Sequence, residues 1–407
     1  MKNMKKIRIF ETFAGIGAQT KAFQKISSRN PKIKYENVGI SEWYIDAIIA
    51  YSKIHHLEEF KEVKKEIEKQ VENKPVSGVI YATNKKEILK EMERRPNYVF
   101  SSNSKTPANL SRVKEDKLKE LYIANIVAKN FGSITELKGK DLPQNIDIFT
   151  YSFPCQSISL QGKQGGLEEK SETTSSLVWQ VLRVLKEAKE ERNLPKVLLM
   201  ENVKALFSKK FIGTWEEIKE ILETFGYNTY DTTINAIDKG SIQRRERVFA
   251  VSILKELDSG FKFNNLNQKA NDFCISEILE NKVEDRFLLN KLKANIKGEE
   301  FKLKPSGISS LKLQDYTTFQ SENVLYSIEG KSATLTASGA NSRIKIIDKN
   351  DDLRYLTPVE FWQLMGFSKE DVEINKDMSN ATLYRLAGNS ISVEVLEDIF
   401  EDIVSIF

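Results

Sequence analysis

Short apolar runs alternate with segments whose apolar residues recur every three or four positions, and this rhythm predicts alternating strands and helices. Residues 5–12 read as a first strand, Phe13-Ala-Gly-Ile-Gly17 as a turn, and Gln19 to Ile26 as a helix. Val38 to Glu42 reads as a second strand, followed by a helix from Trp43 to His55. The rhythm resumes at Ile146 to Tyr151, a strand that runs into Ser152-Phe-Pro-Cys-Gln156. A Gly-rich loop around Gln161-Gly-Lys-Gln-Gly-Gly166 comes next, then a helix from Leu177 to Glu191. The apolar run Lys196 to Met200 is a buried strand that ends at Glu201-Asn-Val203, and Thr214 to Phe225 is a helix. Two alternating runs, Tyr227 to Ile237 and Arg247 to Ile253, predict a closing hairpin around Gln243-Arg-Arg-Glu-Arg247. A βαβ succession of this kind requires a mostly parallel sheet with helices on both faces, an α/β fold.

Two stretches break the pattern. From about 55 to 130 the chain is charged and mostly helical, as in Glu58 to Gln70 and Glu115 to Lys129, with a loop at Ser101 to Pro107. It reads as an insertion on the rim of the sheet, with most of its charge on solvated helix faces. From about 262 to 350 strands shorten and Thr, Ser, Asn and Gly cluster, which predicts a second, smaller and more irregular lobe. The last helix, Val393 to Ile406, carries apolar residues at 393, 396, 399, 400, 403 and 406 and should pack back on the first lobe. The expected division is 1–262 with 386–407 as one domain and 263–385 as the other with its hinge.

Composition narrows this picture only slightly. At 407 residues the chain is long enough for two lobes with cores of their own. The net charge of +4 permits a polyanionic partner without requiring one. No apolar run reaches the roughly 20 residues that span a bilayer, and Ile7 to Phe13 is too short for a signal-peptide core, so a cytoplasmic protein without a membrane partner is expected. Cys155 and Cys274 cannot make a disulfide framework and suit a reducing compartment. With His55 and His56 adjacent and the only histidines, neither zinc-site spacing nor a dispersed Cys-His protease pair is available, and no metal is expected.

The candidate chemistry lies just past the predicted strands, where ligands of an open parallel sheet gather. Phe13, Ala14, Gly15, Ile16 and Gly17 form a turn that lets a ligand approach the backbone, and Glu42 past the second strand can accept two ribose hydroxyls. Ala18 and Gln19 stand where a dinucleotide fingerprint has its third glycine, which weakens a nicotinamide oxidoreductase reading. Cys155 and Glu201 complete the rim. A thiolate added to carbon 6 of a pyrimidine turns carbon 5 into an enamine nucleophile, and a carboxyl group at ring nitrogen 3 stabilises the charge that develops. Such chemistry needs one Cys, one Glu and a sulfonium methyl donor in one cleft. Arg245 and Arg247, two apart on the expected strand, would share a side and could hold the cytosine oxygen and a phosphate, or simply pair with surface acids.

In this order the blocks resemble the bacterial cytosine-C5 DNA methyltransferases. Phe13 to Gly17 resembles the cofactor loop, Glu42-Trp43 the ribose acid and adenine-stacking aromatic, Pro154-Cys155-Gln156 the nucleophile motif, and Glu201-Asn202-Val203 the pyrimidine-binding acid motif. Gln243, Arg245 and Arg247 match the Gln-x-Arg-x-Arg motif. Arg354 to Glu360 with Leu364 to Phe367 resembles the block that supports the recognition lobe, and Gly388-Asn389-Ser390 with Val393 the final motif, which returns to the cofactor. Three positions depart from the pattern: Ser133 replaces the usual acid of the Gly-Asp-Ile block, Thr174 the Arg after the catalytic loop, and Ile242 the proline before the arginine motif.

The resemblance implies a Rossmann-like methyltransferase domain plus a target-recognition domain, S-adenosylmethionine as cofactor, and double-stranded DNA as partner. It assigns Cys155, Glu201, Arg245 and Arg247 to catalysis, and Phe13 to Gly17, Glu42, Trp43, Ser133, Ile134, Pro154, Leu177, Asn389, Ser390 and Val393 to the cofactor. The loop carrying Gln156, Ser159 and Gln161 would close over a flipped-out cytosine, Gln156 either filling the vacated stack or supporting the loop. Ser338, Asn341 and Arg343 would touch base edges or phosphates. Tyr316 to Asn323 and Thr334 to Arg343 are most similar to CG-methylating enzymes of wall-less bacteria, so a CG-containing site is expected. The chain is expected to act as a monomer at the nucleoid, and a cognate restriction endonuclease is a companion such enzymes can have in the cell. The alternatives are a tRNA cytosine-5 methyltransferase of the same superfamily, against which the 262–350 lobe speaks, and a non-catalytic DNA-binding relative, against which the intact Cys155, Glu201 and Arg247 speak.

Overall fold

The computed structural model describes residues 6–72, 74, 78–95, 97–154, 176–264, 273–318, 322–337 and 343–407. In chain order, β1 (Lys6–Thr12), α1 (Ala18–Arg29), β2 (Lys34–Ser41) and α2 (Ile45–His55) make the first alternating run. The charged stretch that follows forms α3 (Leu57–Val71), α4 (Lys85–Glu93) and α5 (Glu115–Val127). Alternation then returns with β3 (Ile148–Tyr151), α6 (Leu177–Glu190), β4 (Val197–Val203), α7 (Ile212–Phe225), β5 (Tyr227–Asn235) and β6 (Glu246–Leu254). Five further strands are β7 (Ile296–Leu303), β8 (Ser309–Leu313), β9 (Val324–Ser327), β10 (Lys345–Ile347) and β11 (Leu353–Tyr355). The chain ends in α8 (Pro358–Gln363), α9 (Lys369–Glu373), α10 (Asn380–Asn389) and α11 (Val393–Val404).

By its contacts the chain divides into two units, residues 1–233 with 247–263 and 400–407, and residues 234–246 with 264–399. The first holds a sheet ordered β2-β1-β3-β4-β6-β5. β1 pairs in parallel with β2 and β3, β3 in parallel with β4, and β4 antiparallel with β6, so the sheet is mostly parallel, as the alternation predicts. Buried Phe149, Tyr151, Leu198 and Met200 share one core with Val181 and Leu185 of α6 and Trp215, Ile218 and Leu222 of α7. Trp215 keeps its indole N–H satisfied on Asp231 Oδ2 at 2.8 Å. Near the chain's end Phe400 packs against Phe23 of α1, with ring centroids 4.3 Å apart and the planes tilted by 35°.

β2 runs four residues further toward its start than the sequence pattern predicts. It is the edge strand, and its first half (Lys34, Tyr35, Glu36, Asn37) is not buried, so apolar alternation has no reason to mark it. Within the stretch expected to be mostly helical, the sequence pattern marks no separate helix at α4. It is short, caps itself through the Asn84 side chain on the Glu87 N–H, and buries only Ile88 and Met92.

The second unit contains a sheet ordered β11-β10-β9-β8-β7, antiparallel except between β9 and β10. Within β11, Arg354 is fully buried and makes a bidentate pair with the equally buried Glu360, at 2.9 Å on each arm. Glu360 also accepts the Thr357 N–H that opens α8 and the Glu280 N–H, so its charge is hydrogen-bonded on every side. The unit boundaries differ from the expected domains at 234–246 and 386–399, which both fall here. Gln243 explains the first segment: its amide accepts from the Leu335 N–H and donates to the Leu364 carbonyl.

Candidate active site

The register of the parallel strands decides which residues share a rim. Thr12 of β1 lies level with Ser41 of β2 and with Tyr151 of β3, and Tyr151 lies level with Met200 of β4. The next residues along each strand, Phe13, Glu42, Ser152 and Glu201, therefore emerge together at one end of the sheet. β6 enters from that end, placing Arg247 opposite Val203.

The glycine turn after β1 is held in a left-handed conformation at three positions, Phe13 (φ 52°), Gly15 (φ 57°) and Gly17 (φ 76°). A non-glycine residue at positive φ is strained, and such strain concentrates where backbone must meet a ligand. Beside Gly15 a Cβ atom would meet nothing within 4 Å, so the turn faces open space. Glu42 is buried at the end of β2 and aimed at this turn: Oε2 accepts from the Gly15 N–H at 2.9 Å, and Oε1 from the Trp43 and Tyr44 N–H groups at 2.8 Å. Burial raises its pKa above the usual carboxylate value, and the three backbone donors counter that rise. The carboxylate is thus fixed with lone pairs left over for hydroxyl donors, as a ribose requires.

The insertion braces this side of the rim, a role that charge patterning does not reveal. Asn130 accepts from the Glu42 N–H at 3.1 Å and the Gly132 N–H at 3.1 Å, and donates to the Glu42 carbonyl at 3.0 Å. Ser101 exchanges backbone bonds with Trp43 and Ile45, and the Asn97 carbonyl accepts from the Ser133 N–H. Ser133 is buried and its hydroxyl lies 2.8 Å from that of Thr135. A side-chain amide that ties two backbone segments far apart in sequence leaves no periodic signature, so Asn130 could only have been found in three dimensions.

On the other half of the rim, Glu201 and Arg247 form an ion pair across β4 and β6, Nε to Oε1 at 3.3 Å. Both side chains are mostly buried, at 11% and 16% exposure, so the pair is shielded but still reachable. The neighbouring Asn202 donates to the Phe153 carbonyl at 3.1 Å and accepts from the Val203 N–H at 2.8 Å. It ties the end of β4 to the chain leaving β3, up to Pro154. Ile134, Phe153 and the half-buried Phe13 and Leu177 pack into the same apolar cluster beneath. Cys155, Gln156, Ser159 and Gln161 follow Pro154 in sequence and lie outside the described residues, as do Ser338 and Asn341.

Arg245 corrects the expectation that it shares a strand face with Arg247. It precedes β6 and is buried at 5% exposure. Its guanidinium donates to the carbonyls of Leu335, Gly388 and Ser390 at 3.1, 3.3 and 2.8 Å. These bonds make it a brace of the second unit, and they explain why 386–399 falls there. Asn389, Ser390 and Val393 also belong to that unit: Asn389 is exposed, Ser390 caps α10, and Val393 is buried and donates to the Met365 carbonyl. Arg343 lies with its guanidinium 4.9 Å from the Tyr355 ring centre and 5.4 Å from that of Tyr384. Stacking of this kind fixes a cation's direction without neutralising it.

A strained glycine turn open beside Gly15 and a buried acid past the second strand, at one end of a mostly parallel sheet, fit a Rossmann-like, S-adenosylmethionine-dependent methyltransferase. Residues 102–405 match the model of the C-5 cytosine-specific DNA methylases, and the chain belongs to that family: it is a DNA cytosine-5 methyltransferase. It is 39% identical to orphan methyltransferase M.SssI of Spiroplasma monobiae, over 98% of this chain and 97% of that one. Type II methyltransferase M2.ScrFI of Lactococcus lactis is 34% identical over 98% and 99% of the two chains. M.HhaI of Haemophilus parahaemolyticus is 31% identical over 70% and 84%. Among solved structures, the S. pombe Dnmt2 methyltransferase shares the fold with a TM-score of 0.59 at 18% identity, covering 98% of this chain and 99% of that chain. Among the described residues no helix is long and apolar enough to cross a membrane.

Proposed function

We propose that the protein methylates carbon 5 of a cytosine flipped out of duplex DNA at a CG-containing site, with Cys155 as nucleophile and Glu201 as the group that meets ring nitrogen 3. The observation that carries this reading is the strand register, which brings Phe13, Glu42, Ser152 and Glu201 to one rim. Phe13 to Gly17, Glu42, Trp43, Ser133 and Ile134 would hold S-adenosylmethionine there, which supplies an electrophilic methyl group.

The chain's own groups do the rest. The Cys155 thiolate adds to carbon 6 of the pyrimidine, and the electron pair displaced from the ring makes carbon 5 nucleophilic. In its protonated form Glu201 donates a hydrogen bond to ring nitrogen 3 and so offsets the negative charge that builds up there. Arg247, 3.3 Å from Glu201, keeps that carboxyl group oriented and would itself hold the cytosine oxygen. After methyl transfer the carbon-5 proton leaves, the carbon–sulfur bond breaks and the thiolate is restored. Asn202 holds the Phe153 carbonyl, which ties the end of β4 to the residue two before Cys155 in sequence.

The CG assignment rests on the recognition blocks. In the first, the Asn323 amide accepts from the Thr317 N–H at 3.0 Å and donates to the Thr317 carbonyl at 2.7 Å. Arg343 ends the second block, directed by its two tyrosines. The protein acts alone on one strand at a time, and a restriction endonuclease of the same specificity would be a cellular companion rather than a subunit.

Bisulfite sequencing tests the proposal. Duplex DNA incubated with the protein and S-adenosylmethionine should show protected cytosines at CG steps. Protection at other dinucleotides would refute the CG assignment. Methylated tRNA with untouched duplex would refute DNA as the substrate.

A further inference from the structure

The sequence assigns no task to the two histidines. The fold places one of them, His55 at the end of α2, directly under the glycine turn. A Cβ built on Gly17 would lie 2.3 Å from His55 Nε2, 2.7 Å from His55 Cδ2 and 2.6 Å from Tyr51 Cε2. The imidazole therefore occupies the space that any larger residue at 17 would need. Nε2 lies 2.9 Å from the Ile16 carbonyl oxygen, and Nδ1 lies 3.2 Å from Gln24 Nε2. A carbonyl can only accept, so Nε2 carries the proton, and Nδ1 is left to accept from the Gln24 amide. The Tyr51 ring packs against the imidazole with centroids 4.7 Å apart.

We infer that His55 is a positioning residue for S-adenosylmethionine binding: its Nε2–H, aimed by Gln24 and Tyr51, holds the Ile16 carbonyl and with it the left-handed turn from Gly15 to Gly17 in its binding conformation. This rests on the reading of that turn as the cofactor loop. A peptide group anchored at its carbonyl presents the adjoining N–H in one direction, and order established before binding need not be bought from the ligand's affinity. Burial supports the arrangement by lowering the His55 pKa to about 3, so the ring stays neutral and keeps a single tautomer throughout the physiological range.

Calorimetric titration of S-adenosylmethionine into the DNA-free protein is the test. His55→Phe fills the space without the donor and should weaken binding about fivefold to tenfold, the effect of one lost hydrogen bond. His55→Gln places an amide N–H where Nε2 was and should recover most of that loss. In steady state His55→Phe should raise KM for S-adenosylmethionine and leave kcat at saturation unchanged. A folded His55→Phe that binds like wild type overturns the inference, and so does a His55→Gln no better than Phe. If His55→Phe does not fold, long-range proton–nitrogen correlation spectra of the two wild-type imidazoles decide. They should show His55 protonated at Nε2 alone, with that resonance moving on ligand addition; an Nδ1-protonated or unmoved His55 overturns the inference. Wild-type protein that binds no S-adenosylmethionine would instead remove the cofactor-loop reading beneath it.

Discussion

Cys155 and Arg247 stand at opposite ends of what single residues reveal. A thiol after a proline at a strand end is legible from sequence because the chemistry demands that residue type and no other. Its prediction is correspondingly sharp: Cys155→Ser should lower methyl transfer by on the order of a thousandfold or more, because a hydroxyl is a far poorer nucleophile at neutral pH. S-adenosylmethionine should still bind, since its proposed contacts lie on other strands. Measured transfer near wild-type rates would remove the nucleophile assignment. The arginine motif was less transparent. Its two arginines look equivalent in sequence, yet Arg245 spends its guanidinium on three carbonyls while Arg247 pairs with Glu201. Residue type and spacing cannot separate them, because the choice depends on where β6 begins.

At the scale of elements, the end of β1 holds a second buried acid, in addition to Glu42 at the end of β2. Glu11 is fully buried; Oε1 takes donors from Thr20, Tyr51 and Asn37, while Oε2 is without a hydrogen-bond partner. Desolvation raises its pKa to about 7, against the lowering effect of those hydrogen bonds. A raised folded-state pKa favours the protonated form in the native protein. The stability linked to Glu11 is therefore fully present below its unfolded value of 4.5 and is lost as pH rises through about 7. Glu11→Gln stays neutral, so the variant should gain on wild type by roughly 3 kcal/mol at most between pH 4.5 and pH 8. Urea unfolding of both proteins across that range measures it; parallel curves would show that Glu11 does not titrate in the fold. Strands and helices with one buried face were legible because their apolar residues follow the period of the element. The first half of the edge strand β2 and the self-capped α4 were not, because each buries too little to leave a period.

For the whole molecule, the decisive property is that chemistry and recognition must act on one duplex in a single cycle. A duplex carrying 5-fluorocytosine at the target should trap a covalent protein–DNA adduct, since fluorine at carbon 5 cannot leave as a proton does. The adduct should need S-adenosylmethionine and disappear in Cys155→Ser; a denaturing gel without any shifted band under turnover conditions would argue against thiolate addition. What the sequence determined by itself was the set of chemical groups and the order of elements, because reactive residue types are few and burial imposes its period on the chain. Only the tertiary structure decided which of those groups meet: that Asn130 locks Glu42 to the insertion, that Arg245 braces the second unit, and that a histidine lies beneath the glycine turn. Hydrogen bonds between segments 39 to 145 residues apart follow from how strands register and helices pack, and no local pattern in the chain encodes them.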